Sequence, residues 1–117
     1  MGLVADVLAV VLAAMLTLSA ALKVERNERS VYVVHELAHV PLTLFPALVA
    51  VELAGAIGLV VGLWSTPIGV AASAGAVAYF VGAMAAHLIA GHPAAVSKPL
   101  PPAMLAVAAL AFRIAGG

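Results

Sequence analysis

The sequence predicts an all-α membrane protein, a four-transmembrane-helix bundle with a short amphipathic interfacial helix between spans one and two. Three observations carry this reading. Apolar residues make up 66% of the 117-residue chain and charged residues 9%, against about 25% charged in an ordinary soluble domain. Four apolar stretches approach the roughly 20 residues needed to cross a hydrocarbon core of about 30 Å. Between them lie short segments that carry most of the Pro and charge.

The composition also excludes. Five Lys and Arg balance five Asp and Glu, too few polar groups to cover the surface of a soluble domain of this size. No basic patch exists to neutralise phosphates, so nucleic acid is not a partner. Cysteine is absent, which removes disulfides, thiol catalysis and cysteine-held metals. The length allows one domain, 1–117.

The first span covers about 2–22 and is apolar apart from Asp6, Thr17 and Ser19. It lacks the basic start of a signal peptide and carries Asp6 where positive charge is expected, so it reads as a retained span. The connection 23–41 begins with the charge run Lys23, Glu25, Arg26, Glu28, Arg29. Ser30 then offers an N-cap to a short helix at about 31–40. There Val33, Val34, Leu37 and Val40 share one face, and Tyr32, His35, Glu36 and His39 the other. Such a helix lies in the interface or dips into the bundle mouth. Span two, about 42–64, holds one charge, Glu52. The tight turn of Ser65, Thr66 and Pro67 makes span three, about 68–90, its antiparallel neighbour. A loop with His92, Pro93, Lys98 and Pro99 leads to span four, about 100–115, which starts at Pro101 and Pro102, where proline loses no hydrogen bond. This last span reaches only about 25 Å. Small pairs, Gly58 with Gly62 and Gly69 with Ser73, serve close packing inside the bundle.

The first and third connections share one side of the membrane. They hold Lys23, Arg26, Arg29 and Lys98, four of the five basic residues. The positive-inside rule therefore places them in the cytoplasm of a multi-pass plasma-membrane protein, with Arg113 the one opposing charge.

Intramembrane ionisable groups are the functional candidates. Glu52 lies about 12 Å into span two, and a lone carboxylate at that depth costs at least about 2.5 kcal/mol unless it protonates, pairs or meets water. Its face carries Gly55, Leu59 and Gly62, which points it to the bundle interior. His87 continues the small-lined face Gly69, Ser73, Ala76, Phe80, Ala83 of span three. Antiparallel packing puts His87 and Glu52 in the same half of the bilayer, about 7 Å apart in depth. Lys23 ends span one on that side, one turn after Ser19. Lys23, Glu52 and His87 are the expected pocket, able to hold a polar head group or quinone carbonyl and shuttle a proton. Against this stand plain roles: a packing Glu and an interfacial Lys anchor. Asp6 and Arg113, near the opposite face, form an expected structural pair.

His35, Glu36 and His39 match H-E-x-x-H, in which two His one turn apart bind zinc and the Glu activates its water. No third ligand follows at a known spacing, and the helix stops at Pro41. Zinc is thus not expected, and the motif reads as the polar face of an interfacial helix. Haem is not expected either, since no bis-His pair lies on facing spans.

The runs Leu18-Ser19-Ala20-Ala21-Leu22-Lys23, Leu44-Phe45-Pro46 through Val51-Glu52-Leu53-Ala54-Gly55-Ala56-Ile57-Gly58-Leu59, Gly62-Leu63-Trp64 with Pro67, and Val81-Gly82-Ala83-Met84-Ala85-Ala86-His87-Leu88 together resemble the DoxX-like family of small four-helix membrane proteins. The resemblance covers roughly residues 18–113. The family pattern includes a lysine, a glutamate and a histidine that map onto Lys23, Glu52 and His87; the His35 and His39 pair is not part of it. The family takes its name from a membrane subunit of a thiosulfate:quinone oxidoreductase, and other members resemble membrane anchors for redox and detoxification partners. What the resemblance implies is a membrane partner or scaffold subunit tied to redox or quinone chemistry, working with a protein partner or as a homo-oligomer. A small membrane enzyme or carrier for a lipophilic molecule, using the Lys/Glu/His pocket, is the second reading. A zinc hydrolase at the H-E-x-x-H motif is the third.

Overall fold

A computed structural model describes residues 2–25, 31–37 and 40–116, with only the backbone described for Val33, Glu36 and Leu37. The described residues form four α-helices and no strand: α1 (Gly2–Val24), α2 (Phe45–Val61), α3 (Thr66–Ile89) and α4 (Leu100–Gly116). The first and third, together with the stretch Leu42–Val61, are long and apolar enough to cross a membrane; α4 is a shorter apolar helix of 17 residues. The helices pack as a ring in chain order, α1 against α2, α2 against α3, α3 against α4, and α4 back against α1. The protein is a small integral membrane four-helix bundle.

Each helix buries one seam at spacings of three and four. On α1 this is Ala5, Ala9, Leu12, Leu16, Ala20 and Lys23; on α2, Phe45, Glu52, Ala56 and Leu59; on α3, Gly69, Ser73, Ala76, Phe80 and His87; on α4, Ala103, Ala106, Ala109 and Arg113. Alternation of threes and fours keeps a stripe on one side of a helix. The core is mostly alanine. In lipid, burying apolar surface between helices gains nothing over acyl chains, so association depends on close packing, and small side chains permit it. Branched residues such as Val10, Ile57, Val81 and Val107 face outward. Thr17, also facing outward, satisfies its hydroxyl by donating to the Ala13 carbonyl at 2.8 Å.

α2 and α3 cross closely. A Cβ built on Gly62 would lie 2.8 Å from the Gly69 nitrogen, and one on Gly58 would lie 2.9 Å from the Ala72 Cβ. These are the small residues that the sequence marks for packing, and they are spent inside the chain. The Ser65 turn joins the two helices, with Pro67 in the first turn of α3.

The helix ends differ from the sequence reading in detail. Residues 42–44 form a 3-10 turn, and α2 proper starts at Phe45. Pro46 accounts for this, because proline is accommodated in a first turn and breaks a helix interior. The loop after α3 holds a 3-10 turn, Pro93–Ser97. Between α1 and α2, Tyr32–Leu37 forms a single π-helical turn, not the clear amphipathic helix expected over 31–40. The expected Ser30 cap, the charges of Arg26, Glu28 and Arg29, and His39 lie outside the described residues, as does the Glu36 side chain.

Candidate functional site

The buried seams of α1, α2 and α3 carry polar residues near one end of the bundle, where the first and third connections meet. Lys23 belongs to the α1 seam, and only 5% of it is exposed. It is therefore not part of a solvated charge run, whereas Glu25 two residues later is exposed. Its Nζ donates to Ser19 Oγ at 2.8 Å, one turn back along α1, and lies 2.9 Å from Oε1 of Glu52. Glu52 is 1% exposed and seven residues along the α2 seam from Phe45. A carboxylate placed there without a cation would face the full cost of desolvation, and the ammonium supplies the counter-charge. The contact is an ion pair by distance. The Tyr79 side chain, from α3, stands beside the same carboxylate.

His87 is placed by the end of α3. Gly91, at φ 85°, turns the chain out of the helix. The N–H of Gly91 then donates to the Leu88 carbonyl at 3.1 Å, and that of His92 to the His87 carbonyl at 2.9 Å. This paired closure is a glycine-dependent helix stop. It anchors the His87 backbone while the α3 periodicity turns its side chain inward. The ring is 2% exposed, and its Nδ1 has no hydrogen-bond partner among the described residues.

Lys23 and His87 border one cavity of about 370 Å³, together with Ser19, Tyr79 and Lys98 as polar groups. Its remaining wall is apolar, with Met15 from α1, Phe80 from α3 and Pro102 from α4, and Val34 and Val40 of the first connection close one side. Such a volume and such a mixture of apolar wall with few polar groups are those of a small-molecule site. Glu52 does not border this cavity. It borders a second space of similar size between α2 and α3. Tyr79 borders both. The three residues expected to share one pocket thus occupy two adjoining spaces, joined by the Lys23–Glu52 contact.

The chain belongs to the DoxX-like family. The family model matches residues 7–112, nearly the whole chain, and so includes Lys23, Glu52 and His87. No curated protein and no solved structure matches it. Within this DoxX-like chain, Asp6 and Arg113 lie at the far end of the bundle, with Arg113 donating to Asp6 Oδ1 at 2.7 Å. Arg113 is buried on the α4 seam and its aliphatic stem rests near Gly69. His35 stands outside the cavity; its Nδ1 lies 2.9 Å from the Val40 carbonyl, so it donates there as Nδ1–H. No group of three metal-ligating residues occurs among the described residues.

Sequence reasoning missed Tyr79. A signal existed, because it is one of two tyrosines in the chain and sits mid-span, where a phenolic O–H needs a polar neighbour. It falls off the His87 stripe, so face counting passed over it.

Proposed function

We propose that this protein is a membrane partner subunit that binds a lipophilic molecule with a hydrogen-bond-accepting head in the Lys23–His87 cavity, a quinone carbonyl being a head of that class. One observation carries the reading: a buried ammonium borders a largely apolar cavity while already paired with Glu52. Because its charge is balanced, the site accepts a neutral head without leaving a net charge in lipid. Lys23 has three N–H donors; it donates to Ser19, and its charge is paired with Glu52. Its remaining donor capacity, with the unpartnered Nδ1 of His87, supplies polar contacts to a carbonyl. The apolar wall takes the rest of the molecule.

The DoxX-like resemblance supports a redox association, and no cysteine is present to carry electrons. The protein then works with an electron-transferring protein partner. The cavity lies at the end of the bundle that carries Lys98 and the first connection, and the basic residues of the two connections support a cytoplasmic placement of that end.

The test uses the full chain in lipid nanodiscs and a short-chain quinone. Gly82 borders the cavity, and a Cβ added there meets nothing within 4 Å. Gly82→Leu therefore fills the cavity without disturbing the bundle. Quinone binding by the wild type and its loss in Gly82→Leu, with unchanged thermal stability, is the expected result. Equal binding by both proteins, or none by either, overturns the proposal. Turnover by the isolated chain on a lipophilic substrate would move the assignment to the enzyme reading.

A further inference from the structure

The polar groups of the Lys23–His87 cavity gather at one end. Lys23 is the penultimate residue of α1, His87 lies two residues before the end of α3, and Lys98 follows in the next connection. Met15 and Phe80 border the same cavity nine residues before the ends of α1 and α3, about 13 Å along each helix. Polarity thus runs along the membrane normal, polar toward the interface and apolar toward the midplane. That is the polarity of one bilayer leaflet.

A second observation concerns the side wall. Gly82 borders the cavity and is also exposed on the outer side of α3, and a Cβ there meets nothing within 4 Å. Leu48 of α2 borders the cavity as well and is half-buried. The close contacts of α2 with α3, Gly62 with Gly69 and Gly58 with Ala72, lie toward the Ser65 turn; the gap between Leu48 and Gly82 lies beyond them. Its depth decides what it opens to. α3 has 24 residues, about 36 Å, against a hydrocarbon core of about 30 Å, so about 3 Å stands out at each end. Gly82 is seven residues, about 10 Å, from the Ile89 end, which puts the gap about 7 Å inside the hydrocarbon. Acyl chains, not water, border it from outside.

We infer that the cavity has a lateral portal between Leu48 and Gly82, and that its ligand is a long-chain membrane lipid held by its head, with the tail passing through the portal into the bilayer. This rests on the reading of the cavity as a head-group site and adds the class of ligand, a tailed molecule taken up from the leaflet. The volume agrees. About 370 Å³ is at the small end of the range for compact ligands, enough for a substituted ring and not for a long chain beside it. The other way out, past Lys98 and the first connection, leads to water. A tail stranded there would weaken binding by about fourfold for each exposed methylene.

The experiment uses the full chain in phosphatidylcholine nanodiscs and two quinones with the same ring. One carries a methyl group, the other a saturated tail that spans a leaflet, about 15 Å. Affinities are expressed per mole fraction in the membrane, so that partitioning cancels. The tailed quinone is expected to bind no more than about threefold more weakly than the methyl quinone. A larger loss with the methyl quinone still binding overturns the portal and leaves the head-group reading standing; binding by neither overturns both. A diazirine on the first tail carbons reports the route. It is expected to label Leu48 and Gly82, and an excess of the methyl quinone should suppress that labelling. Labelling of Val34, Val40 or Lys98 instead, or of nothing at the gap, means that the tail does not leave between α2 and α3, and overturns the inference.

Discussion

Breaking the Lys23–Glu52 pair should be among the most damaging single changes available in this bundle. The groups are 2.9 Å apart, and their side chains are 5% and 0% exposed. At that separation two unit charges attract by about 6 kcal/mol with an effective dielectric of about 20. Desolvation costs several kcal/mol for each ion, so the intact pair contributes little net stability. Removing one member is different, because it leaves the other charge buried and uncompensated at a cost of about 3–5 kcal/mol. Lys23→Met and Glu52→Gln should each lose at least about 3 kcal/mol. The double variant should lose no more than the worse single one, which sets the coupling at about 3 kcal/mol. The assay is reversible unfolding in mixed micelles titrated with SDS, followed by far-UV circular dichroism. Losses below about 1 kcal/mol that simply add would show that water reaches the pair and screens it. The account of Glu52 as a dry carboxylate would then fail.

Other changes test the packing and the far end of the bundle. Gly62→Ala should destabilise by about 1–3 kcal/mol, since its Cβ must push the backbone of α3 at Gly69; Gly75→Ala and Gly82→Ala, which point into open space, should be neutral or slightly stabilising in the same unfolding assay. Asp6→Asn should cost about 1 kcal/mol or less and the loss should shrink in high salt, because the Asp6 side chain is 44% exposed. A cost as large as that of Glu52→Gln would mean that Arg113 depends on Asp6 as Lys23 depends on Glu52. Metal analysis of the purified chain should find no stoichiometric zinc; one zinc per chain, lost on His35→Ala, would reinstate the H-E-x-x-H reading.

Composition alone determined that this chain belongs in a bilayer: ten charges in 117 residues cannot clothe a soluble surface. Periodicity determined most of what faces inward. The stripe Gly69, Ser73, Ala76, Phe80, His87 is fixed by a helix's 3.6-residue turn whatever surrounds it, and so is the inward side of Glu52. The short turn at Ser65 made α2 and α3 neighbours, because so few residues cannot cross the bundle. Periodicity could not determine how a side chain at a helix end uses its length. Lys23 has four methylenes, enough to snorkel outward or to reach inward, and only the position of α2 against α1 brought a carboxylate to 2.9 Å from it. The separation of Glu52 from the His87 cavity was equally out of reach. It depends on Tyr79 standing where the two spaces meet, and that follows from the rotation of α3 about its axis. Such a rotation is settled by the backbone contact of Gly62 with Gly69, which exists only once the helices are packed.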